Sequence, residues 1–354
     1  MRRTTGRGRR LKANPRARTG NQSRRRVYFD SSVYAYIQAC EERAPGEVAA
    51  IRRWLRSNGW GLVASDEANL GEAISIPSRD QRAERIRLML RLAAWAKPPM
   101  DLVAAIEVFN EAARHQPSWV RQYMGQQDRK RYLRFRFDNT WAVVEKDPTA
   151  AAIESSPALQ GQLSAIDEVL TQNKGLQKER REIRRVTGNK VRANATDPVL
   201  EQALNALPPQ ELYWRVQMYQ DYTLLLLDRK SPSAESDWLP VLLDLDRVFA
   251  NDGRDWQRFW VLQADPTRMP ANYLYVAGLY CQEEEPKPAD RGSSVDRIHL
   301  CYLHQCDAVV TTDGGLFMTM VCALKIAPSK GVPILLNRSA TSALAELQRC
   351  MPAV

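Results

Sequence analysis

Apolar residues recur along the chain with two different spacings, and the alternation between them predicts its elements. Val27, Tyr28 and Phe29 form a short apolar run that stops at Asp30, and Trp60-Gly61-Leu62-Val63-Ala64-Ser65 forms a second. Short apolar runs bounded by polar or turn residues predict buried strands. Between them, Tyr34, Ile37 and Ala39, then Val48, Ile51, Trp54 and Leu55, fall at helical spacing. Pro45-Gly46 separates these two helices, and Asn58-Gly59 ends the second. A helix carrying Leu70, Glu72 and Ile74 is expected next. Ser78-Arg79-Asp80-Gln81 has the form of a capping box, so a helix should open there, run to about Lys97 and break at Pro98-Pro99. Another helix is expected over about residues 101–115.

From about residue 116 to 289 the pattern is helical, with little that reads as strand. One stretch, about 156–186, ends in the charged run Lys178-Glu179-Arg180-Arg181-Glu182-Ile183-Arg184-Arg185. Such a run serves equally as a solvated helix face or as a grip on nucleic acid. A second stretch, after Asp197-Pro198, carries Leu200, Leu204, Leu207, Leu212, Trp214, Val216 and Tyr219. Trp238, Trp256 and Trp260 mark further buried helix faces, and Glu283-Glu284-Glu285-Pro286-Lys287-Pro288 reads as an exposed linker. Beyond it the two-spacing pattern returns. Gly292-Ser293-Ser294 should cap a helix from about Val295, and Asp307-Ala308-Val309-Val310-Thr311-Thr312 should be a strand entering the turn Asp313-Gly314-Gly315. A helix from Leu316 to about Ile326 and a strand over residues 332–336 follow.

Strands that alternate with helices imply a parallel sheet. The expected fold class is therefore α/β, its sheet split in sequence by an all-helical insertion. The expected divisions are a tail at 1–25, a first α/β half at 26–115, the helical insertion at 116–289 and a second α/β half at 290–354.

The net charge of +10 belongs to one end of the chain. Residues 1–26 hold ten arginines and Lys12 and no acid, so the remainder is close to neutral. This tail has little to bury and is expected to be disordered. It suits either a nucleic-acid backbone, through counterion release, or a solubilising or targeting role. No run approaches the roughly 18 apolar residues of a membrane span, and the N-terminus lacks the apolar core of a secretory signal. The six cysteines form no CxxC pair, a spacing that predicts free thiols in a cytoplasmic protein.

Against this background four acids stand out. Asp30 and Asp313 follow strands at the carboxyl edge of the expected sheet, where open α/β sheets bind ligands. Asp296 is expected in the first turn of the helix leading into the second of those strands, and Glu72 on the helix after residues 60–65. Each has a structural explanation of its own, since aspartates cap turns and favour helix N-termini. Four carboxylates converging from separate segments would instead repel unless a cation neutralised them. Oxygen-only ligands suit Mg²⁺ or Mn²⁺.

Two segments carry a resemblance. Val27-Tyr28-Phe29-Asp30-Ser31-Ser32-Val33-Tyr34 resembles the opening strand and first catalytic aspartate of PIN-domain nucleases. Ser293-Ser294-Val295-Asp296-Arg297-Ile298-His299-Leu300, followed by residues 307–313, is similar to that family's closing motif. Asn69-Leu70-Gly71-Glu72-Ala73 looks like its helical glutamate segment, with Glu67 as the competing glutamate. The resemblance covers about residues 26–115 and 290–340 and leaves out the long middle. It implies a Rossmann-like α/β/α PIN-type sheet and a divalent-metal-dependent endoribonuclease, with DNA as the alternative substrate. Asp30, Glu72, Asp296 and Asp313 would be the metal ligands, and Ser31, Thr311 and Thr312 polar neighbours. It further implies water attack leaving a 5′-phosphate, a toxin-like or defence role, and a helical insertion that shapes substrate access or binds a protein partner. A silent RNA-binding scaffold is the reading from another class.

His299, Cys301, His304 and Cys306 run along one helix and its end, where four side chains cannot turn to one tetrahedral zinc. His115 has no matching ligand pair and reads as structural. Ser32 stands where a haloacid-dehalogenase phosphatase would need its second aspartate, and no phosphate-loop motif is present.

Overall fold

The computed structural model describes residues 25–93, 95–97, 100–121, 197–227, 239–284 and 292–351. The tail up to residue 24, the expected helix at 156–186 and its charged end at 178–185 lie outside the described residues.

Five strands, β1 (Arg25–Phe29), β2 (Trp60–Ser65), β3 (Trp95–Lys97), β4 (Ala308–Thr311) and β5 (Val332–Leu335), form one sheet in the order β3-β2-β1-β4-β5. Every neighbouring pair is parallel. The chain winds from β1 outward to β3, then returns to lay β4 on the opposite side of β1. That reversal opens a crevice at the carboxyl ends of β1 and β4.

Side chains alternate across the sheet as strand geometry requires. Val27, Phe29, Leu62, Ala64, Ala308 and Val310 enter one core, while Tyr28, Val63 and Val309 enter another. The first core is closed by α1 (Ser31–Arg43), α2 (Glu47–Ser57) and α4 (Arg79–Leu92), with α3 (Gly71–Ile74) between β2 and α4. The chain is thus mixed α/β, with helices over both faces of a parallel sheet.

α5 (Met100–His115) leads into a helical block of α6 (Pro198–Asn205), α7 (Pro209–Leu227), α8 (Leu239–Leu242), α9 (Leu245–Val248) and α10 (Arg254–Arg258). Its core is aromatic, with Trp214, Trp256, Phe259 and Trp260 all fully buried. The buried Arg215 guanidinium donates to the carbonyls of Trp260 (2.7 Å) and Ala264 (3.0 Å), which keeps that charge satisfied inside the block. The next helix, α11 (Pro270–Glu284), serves both cores: Val276 and Leu279 face the block, whereas Ala271, Leu274 and Ala277 join the second sheet core. There it meets α12 (Gly292–Gln305) and α13 (Gly314–Ile326). A Cβ at Gly278 would sit 2.8 Å from Leu300 Cδ2, so glycine permits the close approach of α11 to α12. The last helix, α14 (Ala343–Cys350), packs on the first core.

Several expectations are corrected. The helix from Arg79 ends at Leu92, and Trp95–Lys97, expected to be its last turn, is a strand paired with β2. The acidic linker is in part helix, since α11 runs through Glu284 and the buried Glu283 accepts a hydrogen bond from Tyr213 Oη at 2.7 Å. α12 begins at Gly292, which moves Asp296 into its second turn. The thiols are not all free: Cys281 on α11 and Cys322 on α13 form a disulfide with Cα atoms 6.2 Å apart, while Cys40, Cys301, Cys306 and Cys350 are unbridged. Helix packing brings that pair together across 41 residues, which cysteine spacing alone does not reveal. Among the described residues no helix is long and apolar enough to cross a membrane.

Candidate functional site

The crevice between the ends of β1 and β4 is held together by hydroxyls. Asp30 follows β1 and is buried, its backbone N–H bonded to Val310 O of β4 at 3.1 Å. Its Oδ1 accepts from Ser32 Oγ (2.7 Å) and from Val33 N (3.0 Å), so it also caps α1. Its Oδ2 accepts from Thr311 Oγ1 at 2.7 Å. The same Thr311 oxygen accepts the N–H of Asp313 at 2.8 Å, and Ser32 Oγ accepts from Thr312 N (2.9 Å) and Thr312 Oγ1 (2.8 Å). Asp313, exposed, caps α13 by accepting from Gly315 N (2.7 Å) and Leu316 N (3.0 Å) through Oδ1. Its Oδ2 has no partner among the described residues. Both strand-end aspartates are therefore helix caps, which is the structural explanation each carried in the sequence.

Glu72 reaches the site through the turn after β2. Residues Asp66–Leu70 form a single π-helical turn, a feature often found where a helix is bent for function. The buried Asn69 fixes that turn, accepting from Ser65 N at 3.0 Å and donating to Phe29 O at 3.0 Å, at the end of β1. α3 then carries Glu72, whose Oε2 accepts from Ser31 Oγ and from His299 Nε2, the latter at 3.0 Å. On its other side His299 Nδ1 lies 2.6 Å from the hydroxyl of Tyr28, which is itself fully buried. Burial, and then nearby negative charge, hold the Tyr28 hydroxyl well above its ordinary range. Arg85 of α4 donates to Gln38 Oε1 (3.0 Å) and Ser31 O (3.2 Å), and its charge acts on Glu72. The side chain of the rival Glu67 lies outside the described residues.

Asp296 lies one turn before Leu300 on α12, three residues from His299 and so on the same helix face. It is partly buried and has no hydrogen-bond partner among the described residues. Burial raises its pKa to about 7, and the charges of Asp313, Glu72 and Asp30 push the same way against the opposing pull of His299. Burial likewise raises Asp30, although His299 and the hydrogen bonds from Ser32, Thr311 and Val33 resist it. In Glu72 burial is outweighed by the His299 charge and by bonds from His299 and Ser31, so its pKa is lowered. The His299 pKa rises because Glu72, Asp30 and Asp296 outweigh the burial of its ring.

The four acids from four separate segments thus share one electrostatic neighbourhood at the strand ends. Among the described residues no group of three His, Cys, Asp or Glu side chains is already arranged around a metal position. Protein donors occupy both oxygens of Asp30 and one oxygen each of Glu72 and Asp313, and each of these oxygens keeps a further lone pair. The chemistry of the set still fits a hard cation, being oxygen-only, with Asp296 raised to about 7 by burial and then by the charges of the other three acids.

Ser31, Thr311 and Thr312, expected as polar neighbours, are all in this network. Ser32, Tyr28, Arg85 and above all His299, weighed from the sequence as a zinc ligand, complete the network; the three-residue spacing of His299 from Asp296 was the available signal. Of the discounted zinc set, Cys301 turns toward the carbonyls of Ala271 and Arg297, and Cys306 is buried in the second sheet core. His115 pairs with Glu111 at 3.2 Å. Compared with protein-family models, with curated proteins and with solved structures, the chain matches none.

Proposed function

We propose that this chain is a divalent-metal-dependent nuclease of PIN type that hydrolyses phosphodiester bonds, with RNA as substrate and Asp30, Glu72, Asp296 and Asp313 as the metal-binding carboxylates. The observation that carries this reading is the gathering of four acids from four segments at the strand-order reversal, where Asp296, raised to about 7 chiefly by burial, also feels the charges of Asp313, Glu72 and Asp30. A group of carboxylates that repel one another, in a fold position where ligands bind, is suited to cation binding more than to structure. A divalent cation held there would attract a scissile phosphate and lower the pKa of a water.

The chain's own residues have distinct parts in this reading. Asp30 is the fixed member, held by Ser32, Thr311 and the α1 N-terminus. Asp313 offers its Oδ2, which has no protein partner among the described residues. Asp296, whose pKa is raised to about 7, would hold the ion as a carboxylate, so binding would be coupled to loss of its proton near neutrality. Arg85, adjacent to Glu72, supplies positive charge for a bound phosphate.

One observation favours the scaffold reading instead: Asp30, Glu72 and Asp313 are engaged by protein donors, and among the described residues no three ligating side chains are grouped around a metal position. An assay separates the two. Labelled RNA and DNA are incubated with the full chain and Mn²⁺ or Mg²⁺, with and without EDTA. The nuclease reading expects metal-dependent RNA cleavage leaving a 5′-phosphate. Binding without cleavage under every ion supports the scaffold.

A further inference from the structure

Glu72 is held by a chain of buried groups that no part of the proposed reaction requires. Tyr28 is completely buried between its stacked partner Tyr302 (ring centroids 4.2 Å apart) and His299. Its hydroxyl is 2.6 Å from His299 Nδ1, and His299 Nε2 is 3.0 Å from Glu72 Oε2. His299 is itself only 2% exposed, so this contact is not a surface pair free to drift. Ser31 Oγ reaches the same Glu72 oxygen. Oε1 is left without a partner among the described residues.

We propose that Tyr28 and His299 are a positioning pair for Glu72, fixing one carboxylate oxygen so that the other is presented to a divalent cation shared with Asp296. The proposal rests on the metal-dependent reading above. An ionised carboxylate only accepts, so Nε2 of His299 carries the proton whether the ring is neutral or cationic. Tyr28 faces the remaining nitrogen and thereby keeps the ring from turning over. Ligating carboxylates are commonly oriented through such outer hydrogen bonds, whose loss costs about 10–100-fold in metal affinity. The ring is placed by β1 and α12, the segments that also deliver Asp30 and Asp296, so the pair ties Glu72 to the positions of two further acids.

The test uses the full chain labelled with ¹⁵N-histidine, together with Mn²⁺ titration. There are three histidines in the sequence, so H299Q assigns the signal of His299. The wild type should show a slowly exchanging proton on Nε2 of His299. H299A should weaken Mn²⁺ binding by about 10–100-fold. H299Q, whose amide N–H can still reach Glu72, should recover most of that loss, which a purely packing role for the ring would not allow. Y28F keeps the stacked ring and removes only the hydroxyl; it should speed exchange of the Nε2 proton and weaken Mn²⁺ binding by a smaller factor. A neutral ring protonated on Nδ1, or Mn²⁺ affinity unchanged in both H299A and Y28F, overturns the proposal. A wild-type chain that carries the Nε2 proton but binds no Mn²⁺ overturns the metal reading, and the cation-presenting role with it, while leaving the hydrogen-bonded pair intact.

Discussion

Thr311 and Asp30 stand 281 residues apart and meet at the ends of adjacent strands, with Thr311 Oγ1 donating to Asp30 Oδ2 at 2.7 Å. The same hydroxyl oxygen receives the Asp313 N–H, so one buried threonine sets the positions of two candidate ligands. Thr311→Val keeps the shape and removes both bonds. It should cost about 1–3 kcal/mol, because a buried carboxylate oxygen and a backbone N–H both lose a partner. Chemical denaturation of the variant checks this, with an unchanged midpoint as the opposing result.

Asp30→Asn and Asp313→Asn should behave differently in stability and alike in activity. Asparagine still caps α13 through its one oxygen, so Asp313→Asn should fold with near-native stability, whereas Asp313→Ala should lose about 1 kcal/mol. Asp30 receives donors on both oxygens, and an amide must oppose N–H to one of them. Asp30→Asn should therefore cost roughly 1–3 kcal/mol while remaining folded. Both asparagine variants should abolish metal-dependent cleavage, and thermal melts beside the cleavage assay separate the two effects.

Much of this framework was legible from the residues. β2, β4 and the buried part of β1, residues 27–29, are short apolar runs that end at or just before polar residues, which is how a strand buried on both faces reads. Asp30 and Asp313 could be placed at one edge because both follow such runs. β3 was not legible: three residues continuing an amphipathic helix carry no alternation of their own, and only pairing with β2 makes them a strand. His299 was missed for a related reason. With the zinc set discounted, a histidine on this helix reads as packing until the fold sets Tyr28 against one nitrogen and Glu72 against the other. The Cys281–Cys322 bridge likewise depends on two helices meeting side by side.

Asp296 gives the site a pH dependence whose sign is fixed. Its folded pKa is raised to about 7 from an ordinary 3.8, so the native state binds this proton more tightly than the unfolded chain does. The contribution to stability is fully present below about pH 4 and is lost as pH rises through about 7. Asp296→Asn should accordingly raise the melting temperature most at pH 8, by an amount on the order of 0.5–2 kcal/mol in stability, with the gain shrinking toward pH 4. Melting curves across that range check it, and a gain that is larger at acid pH would contradict the assignment. Mn²⁺ affinity should rise over the same interval, as the competing proton leaves.

The disulfide between Cys281 and Cys322 joins a helix shared with the helical block to the helix capped by Asp313. Cys281→Ser should lower stability by about 2–4 kcal/mol through the freed unfolded chain. Denaturant unfolding of wild type with and without a thiol reductant should reproduce the same difference, and peptide mapping under non-reducing conditions should recover the two cysteines on one linked fragment.

The central claim is that four acids from four segments make one cation site, and Mn²⁺ titration followed by electron paramagnetic resonance tests it most directly. Wild type should bind Mn²⁺ saturably, more tightly as pH rises through about 7. Asp30→Asn, Glu72→Gln, Asp296→Asn and Asp313→Asn should each weaken that binding, and pairs of them should be little worse than the single changes, because the ligands act as a unit. Saturable binding that survives all four substitutions unchanged, or a wild-type chain that binds no Mn²⁺ at any pH from 6 to 9, would contradict the account.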